Sequence, residues 1–300
     1  MATSIYLSTG AFPKQPLSAT IDACQAAGIF YVELSSGTHA DPSALAELRR
    51  RQADGFRFLV HNYFPAPAVP FVLNLASDRT EIATRSMEHC RTAITWCAAL
   101  GSKTFSVHAG FCFHADPKHL GAQQTHLVRF DKQRAHENFV ARVLELRDYA
   151  EKLGVAIAIE NNVCSPINVC NAENELFLAV TTEETISLLD DLPNVGLLLD
   201  VAHLNVSANA LHFSREEYIS RLQDRIVGVH VSENDGLTDS NEPVTSDSWF
   251  WKPLLQIQEH LDFLVIEAYR LSPEVARQQY DLVTKVFRKE KEGYESRVVS

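Results

Sequence analysis

Seven short apolar runs in this chain each close on a side chain that can ionise: YVE at Glu33, FLVH at His61, FSVH at His108, AIAIE at Glu160, GLLLD at Asp200, VGVH at His230 and FLVIE at Glu267. An apolar run of this length, bounded by turn residues, reads as a strand of a parallel sheet buried on both faces. Carboxylates and imidazoles are costly to hold inside a protein unless something pairs with them. Repeating that cost at the same end of successive strands is hard to reconcile with burial alone. It gathers the polar groups into one ring, at the strand ends where α/β barrels keep their active sites. A ring of Glu, His and Asp points to a metal-centred site.

Helical patterns separate the runs. Strands are expected at 4–7, 30–34, 56–60, 104–107, 155–159, 195–199, 226–229 and 263–266. Helices are expected at 17–27, stopped by Gly28, and from Asp41 and Pro42 as an N-cap and first-turn pair through 51. Others follow at 80–100, 134–153, 182–189, 214–222, 251–260 and 273–289. Eight βα units predict an α/β fold closed as a (β/α)8 TIM barrel. No leftover segment requires a second domain, so residues 1–300 are expected to form one. The long insertions, 62–78, 109–131, 161–181 and 232–248, all follow strands and would roof the mouth that the ring lines. A doubly wound open sheet is the competing fold, but it wants a glycine-rich phosphate turn near the first strand, and STGAFPKQ is not one.

A net charge of −11 and a pI near 5.5 argue against a protein that wraps nucleic acid. The N-terminus lacks a basic stretch followed by an apolar core, and no long apolar span exists for a membrane helix, so the expectation is a cytoplasmic chain with no membrane partner. Six cysteines in 300 residues form no disulfide framework. Cys24, Cys90 and Cys97 fall in helical patterns and read as small packing groups. Cys164 and Cys170, in the loop after Glu160, read as packing groups or a substrate contact.

Glu160, Asp200, His230 and Glu267, at the ends of the fifth to eighth strands, form a mixed oxygen and nitrogen set suited to manganese, cobalt, magnesium or zinc. His61, His108 and His203 would widen it toward two or three metals. His203, three residues after Asp200, is either a ligand or a hydrogen-bond donor to substrate. Glu33 either joins the ring or anchors one of its ligands from behind. His39, His114, His119, His126 and His136 are read as surface or loop residues.

The motifs in combination resemble the xylose isomerase-like barrel superfamily: His61 followed by NLAS at 74–77, LGSKTFSVHAG at 100–110, IENN at 159–162, DVAH at 200–203, HVSENDG at 230–236 and IEAY at 266–269. The likeness runs from about residue 4 to 270, and the superfamily holds sugar isomerases, ketose 3-epimerases, inosose dehydratases and endonuclease IV. The resemblance implies one divalent metal held by Glu160, Asp200, His230 and Glu267. It chelates a carbonyl oxygen and a neighbouring hydroxyl of a carbohydrate-like small-molecule substrate and stabilises an enediolate. Glu160 and Glu267 then act as the catalytic pair that takes and returns the proton, while His203, His108 and Asn161 orient hydroxyls. Homo-oligomers are common in the superfamily. The aromatics Tyr63, Phe64, Phe111, Phe113, Trp249, Phe250 and Trp251 fall in mouth loops, where they stack on a sugar face or seal the rim.

The rival branch is endonuclease IV, a zinc-dependent phosphoester hydrolase, in which further histidines and a later D-x-H motif supply additional zinc ligands. This chain has His61, His108, His203 and, at the D-x-H position, Asp239, but Asn241 stands where the last histidine belongs. Asn is a poor zinc ligand, so a third metal would be weakened or lost, leaving two or more zinc ions as the variant reading. Nor does any loop cluster Arg and Lys around exposed aromatics to grip a DNA backbone. A dehydratase or lyase, or a degenerate barrel that only binds, are further alternatives; the complete four-residue core argues against the last.

Overall fold

All eight expected runs form strands in the computed structural model, which describes residues 3–115 and 128–298. They are β1 Ser4–Ser8, β2 Tyr31–Leu34, β3 Arg57–His61, β4 Thr104–His108, β5 Ala156–Glu160, β6 Val195–Asp200, β7 Ile226–Val231 and β8 Phe263–Ile266. Each pairs in parallel with the next, and β8 returns to β1 to close the (β/α)8 barrel. The helices are α1 Leu17–Ala26, α2 Ala44–Ala53, α3 Thr80–Leu100, α4 Lys132–Glu151, α5 Thr182–Asp190, α6 Val201–Leu211, α7 Arg215–Leu222, α8 Trp251–Gln256 and α9 Pro273–Val298. None of the described helices is long and apolar enough to cross a membrane.

The period-two alternation of a strand splits each apolar run between two cores. Outward residues such as Phe105, Ile157, Ile159, Leu197, Leu199 and Ile266 pack under the helices. Inward residues Leu59, Ala158, Leu198, Phe263 and Val265 fill the barrel, with Tyr6 and Val227 against them. The same alternation carries Glu160 inward two residues after Ala158, and Asp200 inward two after Leu198. Sheet register then levels the ring, since His108 pairs with Glu160 across β4 and β5, and Asp200 with His230 across β6 and β7.

Two local readings are corrected. Nine helices, not eight, occur among the described residues, because α6 begins directly at the end of β6. Its sequence, VAHLNVSANAL, has no charged face to mark it, and seven of its residues are buried. His203 therefore sits in the first turn of this helix. Helix α2 begins at Ala44, later than Asp41, because the Asp41 carboxylate accepts hydrogen bonds from the backbone and hydroxyl of Ser43 and forms a local turn. All six cysteines are free; only Cys170 is not buried. His119 and His126 lie outside the described residues.

The barrel floor generates a stability prediction. Phe263 is paired with Gly228 on the neighbouring strand, and a Cβ built at Gly228 would lie 2.3 Å from the Phe263 ring. Phe263 is buried and has little room to yield. Gly228→Ala should lower stability by about 1–3 kcal/mol through overpacking, visible as a lower urea midpoint at unchanged slope. An unchanged midpoint would mean that the ring relaxes freely.

Candidate metal centre

Glu160 ends β5 with no exposed surface, and its carbonyl still accepts from Ala109 N at 2.9 Å, so the ladder holds its backbone beyond the strand. Glu267 follows β8 and donates its own N–H to Val231 O at 3.0 Å. Donor atoms of Glu160, Asp200, His230 and Glu267 all lie within 4.8 Å of one another. His230 Nδ1 is at their centre, 2.7 Å from Glu267 Oε2, 3.2 Å from Glu160 Oε1 and 4.0 Å from Asp200 Oδ2. Both Glu160 oxygens, Asp200 Oδ2 and His230 Nδ1 are buried without a hydrogen-bond partner. Buried polar atoms are normally satisfied. Glu160 Oε1, Asp200 Oδ2 and His230 Nδ1 converge unsatisfied, on two carboxylates and one imidazole, and with the Glu267 carboxylate beside them they fit a divalent cation of the manganese, cobalt, magnesium or zinc class.

Asp200, Glu267 and His230 each have one side-chain polar atom engaged away from the cluster and present the other to it. Asp200 Oδ1 caps α6, accepting from Ala202 N at 2.7 Å and His203 N at 2.8 Å. The Asn161 amide brackets the backbone of Asp200, donating to its carbonyl at 3.1 Å and accepting from its N–H at 2.8 Å. Glu267 Oε1 accepts from the Tyr269 hydroxyl at 3.1 Å, and Glu33 Oε1 lies 3.1 Å from His230 Nε2. Ser106 Oγ backs His61 Nδ1 at 3.0 Å. Ser106 and Tyr269 were not singled out from the sequence because neither is a Glu, Asp or His that closes an apolar run. Both lie within quoted motifs, and position is the further signal: Ser106 shares the inward face of β4 with His108, and Tyr269 is two residues past Glu267.

A second cluster shares Glu160. His61 Nε2 at 3.2 Å and His108 Nδ1 at 3.0 Å both face Glu160 Oε2, the oxygen turned away from His230. Among these imidazoles His108 is the more accessible, with 36% of its side chain exposed. His203 stands behind, its Nδ1 2.9 Å from Asn161 O and its Nε2 3.3 Å from Asp239 Oδ2. Asn241 is buried and turns its amide to Ser232 Oγ at 3.5 Å. Of the other histidines, His39 is exposed, His114 faces Asp78 at 3.4 Å and His136 faces Asp191 at 2.7 Å, all apart from the ring. Phe64, Phe113, Phe250 and Trp251 are buried, which suits sealing the rim; Tyr63, Phe111 and Trp249 are half-buried.

The family model described as xylose isomerase-like TIM barrel matches residues 21–286. The chain belongs to that family. Among solved structures, this family member resembles a D-tagatose 3-epimerase-like protein at 18% identity and a TM-score of 0.73, over 97% of this chain and 99% of the other. It also resembles a D-allulose 3-epimerase from Methylomonas sp. in complex with D-allulose, at 18% identity and a TM-score of 0.66, over 97% of each chain. A third is the IolI protein with a bound zinc atom, at 18% identity and a TM-score of 0.67, over 95% of this chain and 98% of that one. At such identities the likeness is one of fold. No curated protein matches the chain in sequence.

Charge in this barrel is balanced by opposed shifts. Burial alone would push Glu160 up, but the imidazoles of His108, His61 and His230 hold its carboxyl well below the usual range. Burial pushes Asp200 up to about 7, with Glu160, Glu267 and Asp239 adding to it against the pull of His203. Burial would lower His230, yet Glu33, Glu267 and Glu160 carry it well above its ordinary value. Without a cation, His230 is therefore an imidazolium, and Asp200 holds a proton over much of its time near neutrality. A cation requires both to be deprotonated, so its uptake must release protons. Affinity should rise with pH through 7, by about tenfold per unit for each proton displaced. Titration calorimetry in buffers of different ionisation enthalpy checks this, and uptake without net proton release would refute it.

Proposed function

We propose that this chain is a divalent-metal-dependent isomerase or epimerase of a sugar, sugar phosphate or related ketose. The observation that carries the reading is the set of unsatisfied donor atoms on Glu160, Asp200 and His230, closed by Glu267. The solved structural relatives, among them an allulose 3-epimerase with its sugar and a zinc-bound IolI protein, support it. A cation held by these four residues would supply positive charge to a substrate carbonyl and a neighbouring hydroxyl, stabilising the enediolate.

The chain's own residues move the proton. Glu160 and Glu267 both approach His230 Nδ1, at 3.2 and 2.7 Å, and come from strands with two others between them. One carboxylate takes the proton from the carbon beside the carbonyl, and the other returns it. Return to the opposite face of the same carbon is epimerisation; return to the adjacent carbon, with reprotonated oxygen, is isomerisation. His108, partly exposed above Glu160, is placed to hydrogen-bond a substrate hydroxyl. Asn161 acts here by holding Asp200, and His203 by its pairing with Asp239.

One observation favours a second reading. The convergence of His61 and His108 on Glu160 Oε2 makes Glu160 a carboxylate shared between two donor clusters, as a two-zinc phosphoester hydrolase would need. Against it, Asp239 is engaged by His203 and Asn241 by Ser232, so the further ligand set of the endonuclease IV type is incomplete.

Turnover of an accepted ketose in deuterated water should introduce deuterium at the carbon next to the carbonyl, read by mass spectrometry; turnover without exchange would contradict the enediolate. Glu160→Gln, with metal content checked in the same sample, should lower kcat by about 10²–10⁴-fold at unchanged circular dichroism. His61→Ala should change turnover only several-fold. Severe loss together with a second metal, and cleavage of an abasic-site duplex by the wild type, would transfer the assignment to the hydrolase.

A further inference from the structure

Glu33 reaches across the barrel. It lies one residue before the end of β2, is fully buried, and meets His230 on β7, from which two other strands separate it. Its Oε1 lies 3.1 Å from His230 Nε2 with hydrogen-bond geometry, while its Oε2 has no partner. A carboxylate beside an imidazole accepts, so Nε2 carries the proton and donates it. That leaves Nδ1 as the nitrogen that faces Glu160, Asp200 and Glu267.

We infer that Glu33 is a positioning residue: by accepting the Nε2 proton of His230 across the barrel, it fixes the ring so that Nδ1 is the donor offered to the cation. This rests on the metal reading above and deepens it. A flipped ring would turn carbon toward Glu33 and strand both oxygens of a carboxylate that has no exposure, whereas the observed pose strands one. Glu33, His61 and His230 also lie within 4.8 Å of one another, but the bonded Nε2–H excludes a cation between Glu33 and that nitrogen in this pose. The negative charge of Glu33 makes the opposite nitrogen of His230 more electron-rich, as carboxylates behind metal-bound imidazoles generally do. The other carboxylates facing His230, namely Glu160, Asp200 and Glu267, all approach Nδ1, and the His61 ring packs edge-on against the His230 ring without a hydrogen bond, so none supplies this constraint.

The test uses zinc alone as the probe, on the full chain labelled with 15N-histidine. In zinc-loaded wild type, the His230 signals, assigned by their absence in His230→Gln, should show a slowly exchanging Nε2–H and a zinc-bound Nδ1. In Glu33→Leu the protected N–H should be lost, and the zinc dissociation constant, measured against a chromophoric chelator, should rise about 10–100-fold. Glu33→Gln keeps an acceptor without the charge, so it should retain the N–H and weaken binding less. If Glu33→Leu fails to fold, the wild-type tautomer and Glu33→Gln decide. Finding Nδ1–H and a zinc-bound Nε2 in the zinc-loaded wild type overturns the inference, as does zinc affinity unchanged in both variants. Failure of the wild type to take up stoichiometric zinc would instead sink the metal reading, and this inference with it.

Discussion

Glu160 keeps its charge at the end of β5 with no exposed surface and no hydrogen bond to either oxygen. Removing a carboxylate from water costs on the order of several kcal/mol even after the surroundings relax. The rest of the centre is arranged to compensate it. His61 and His108 stand against one oxygen and His230 against the other, and these imidazoles hold the carboxyl well below its ordinary range. The compensation works only because four strands end at one level. A slip of one residue in any of them would turn its ionisable side chain toward the helices.

The barrel beneath is built for that purpose. Its interior is closed by Leu59, Ala158, Leu198, Phe263 and Val265, so the ring lies on an apolar floor. A low-dielectric floor strengthens every charge interaction above it. The same environment raises the penalty for an unpaired group, and one oxygen each of Asp200 and Glu267 is taken up, by the α6 cap and the Tyr269 hydroxyl, while the Asn161 amide holds the Asp200 backbone. What remains unsatisfied is inward and convergent. A site assembled this way is rigid before any ligand arrives.

Much of this was legible in the sequence because strand periodicity is short and strict. An ionisable residue closing an apolar run must lie on one face or the other, and its recurrence at Glu160, Asp200, His230 and Glu267 left few arrangements open. Helix α6 was not legible, since a segment buried on most sides carries no amphipathic stripe. The pairing of His203 with Asp239 depends on the path of the loop after β7, for which the sequence holds no short-range rule. The contact between Glu33 and His230 spans 197 residues and exists only once the barrel closes. Sequence alone could place Glu33 on the ring, but not say which ring member it serves.

The most direct measurement is the metal content of untagged protein purified without chelator, by plasma mass spectrometry, for the wild type and Asp200→Ala. The account predicts about one divalent ion per wild-type chain and near-complete loss in the variant, because Asp200 Oδ2 is one of the converging donors. Wild-type protein that stays metal-free when offered manganese, cobalt, magnesium or zinc would contradict it, as would full metal retention by Asp200→Ala.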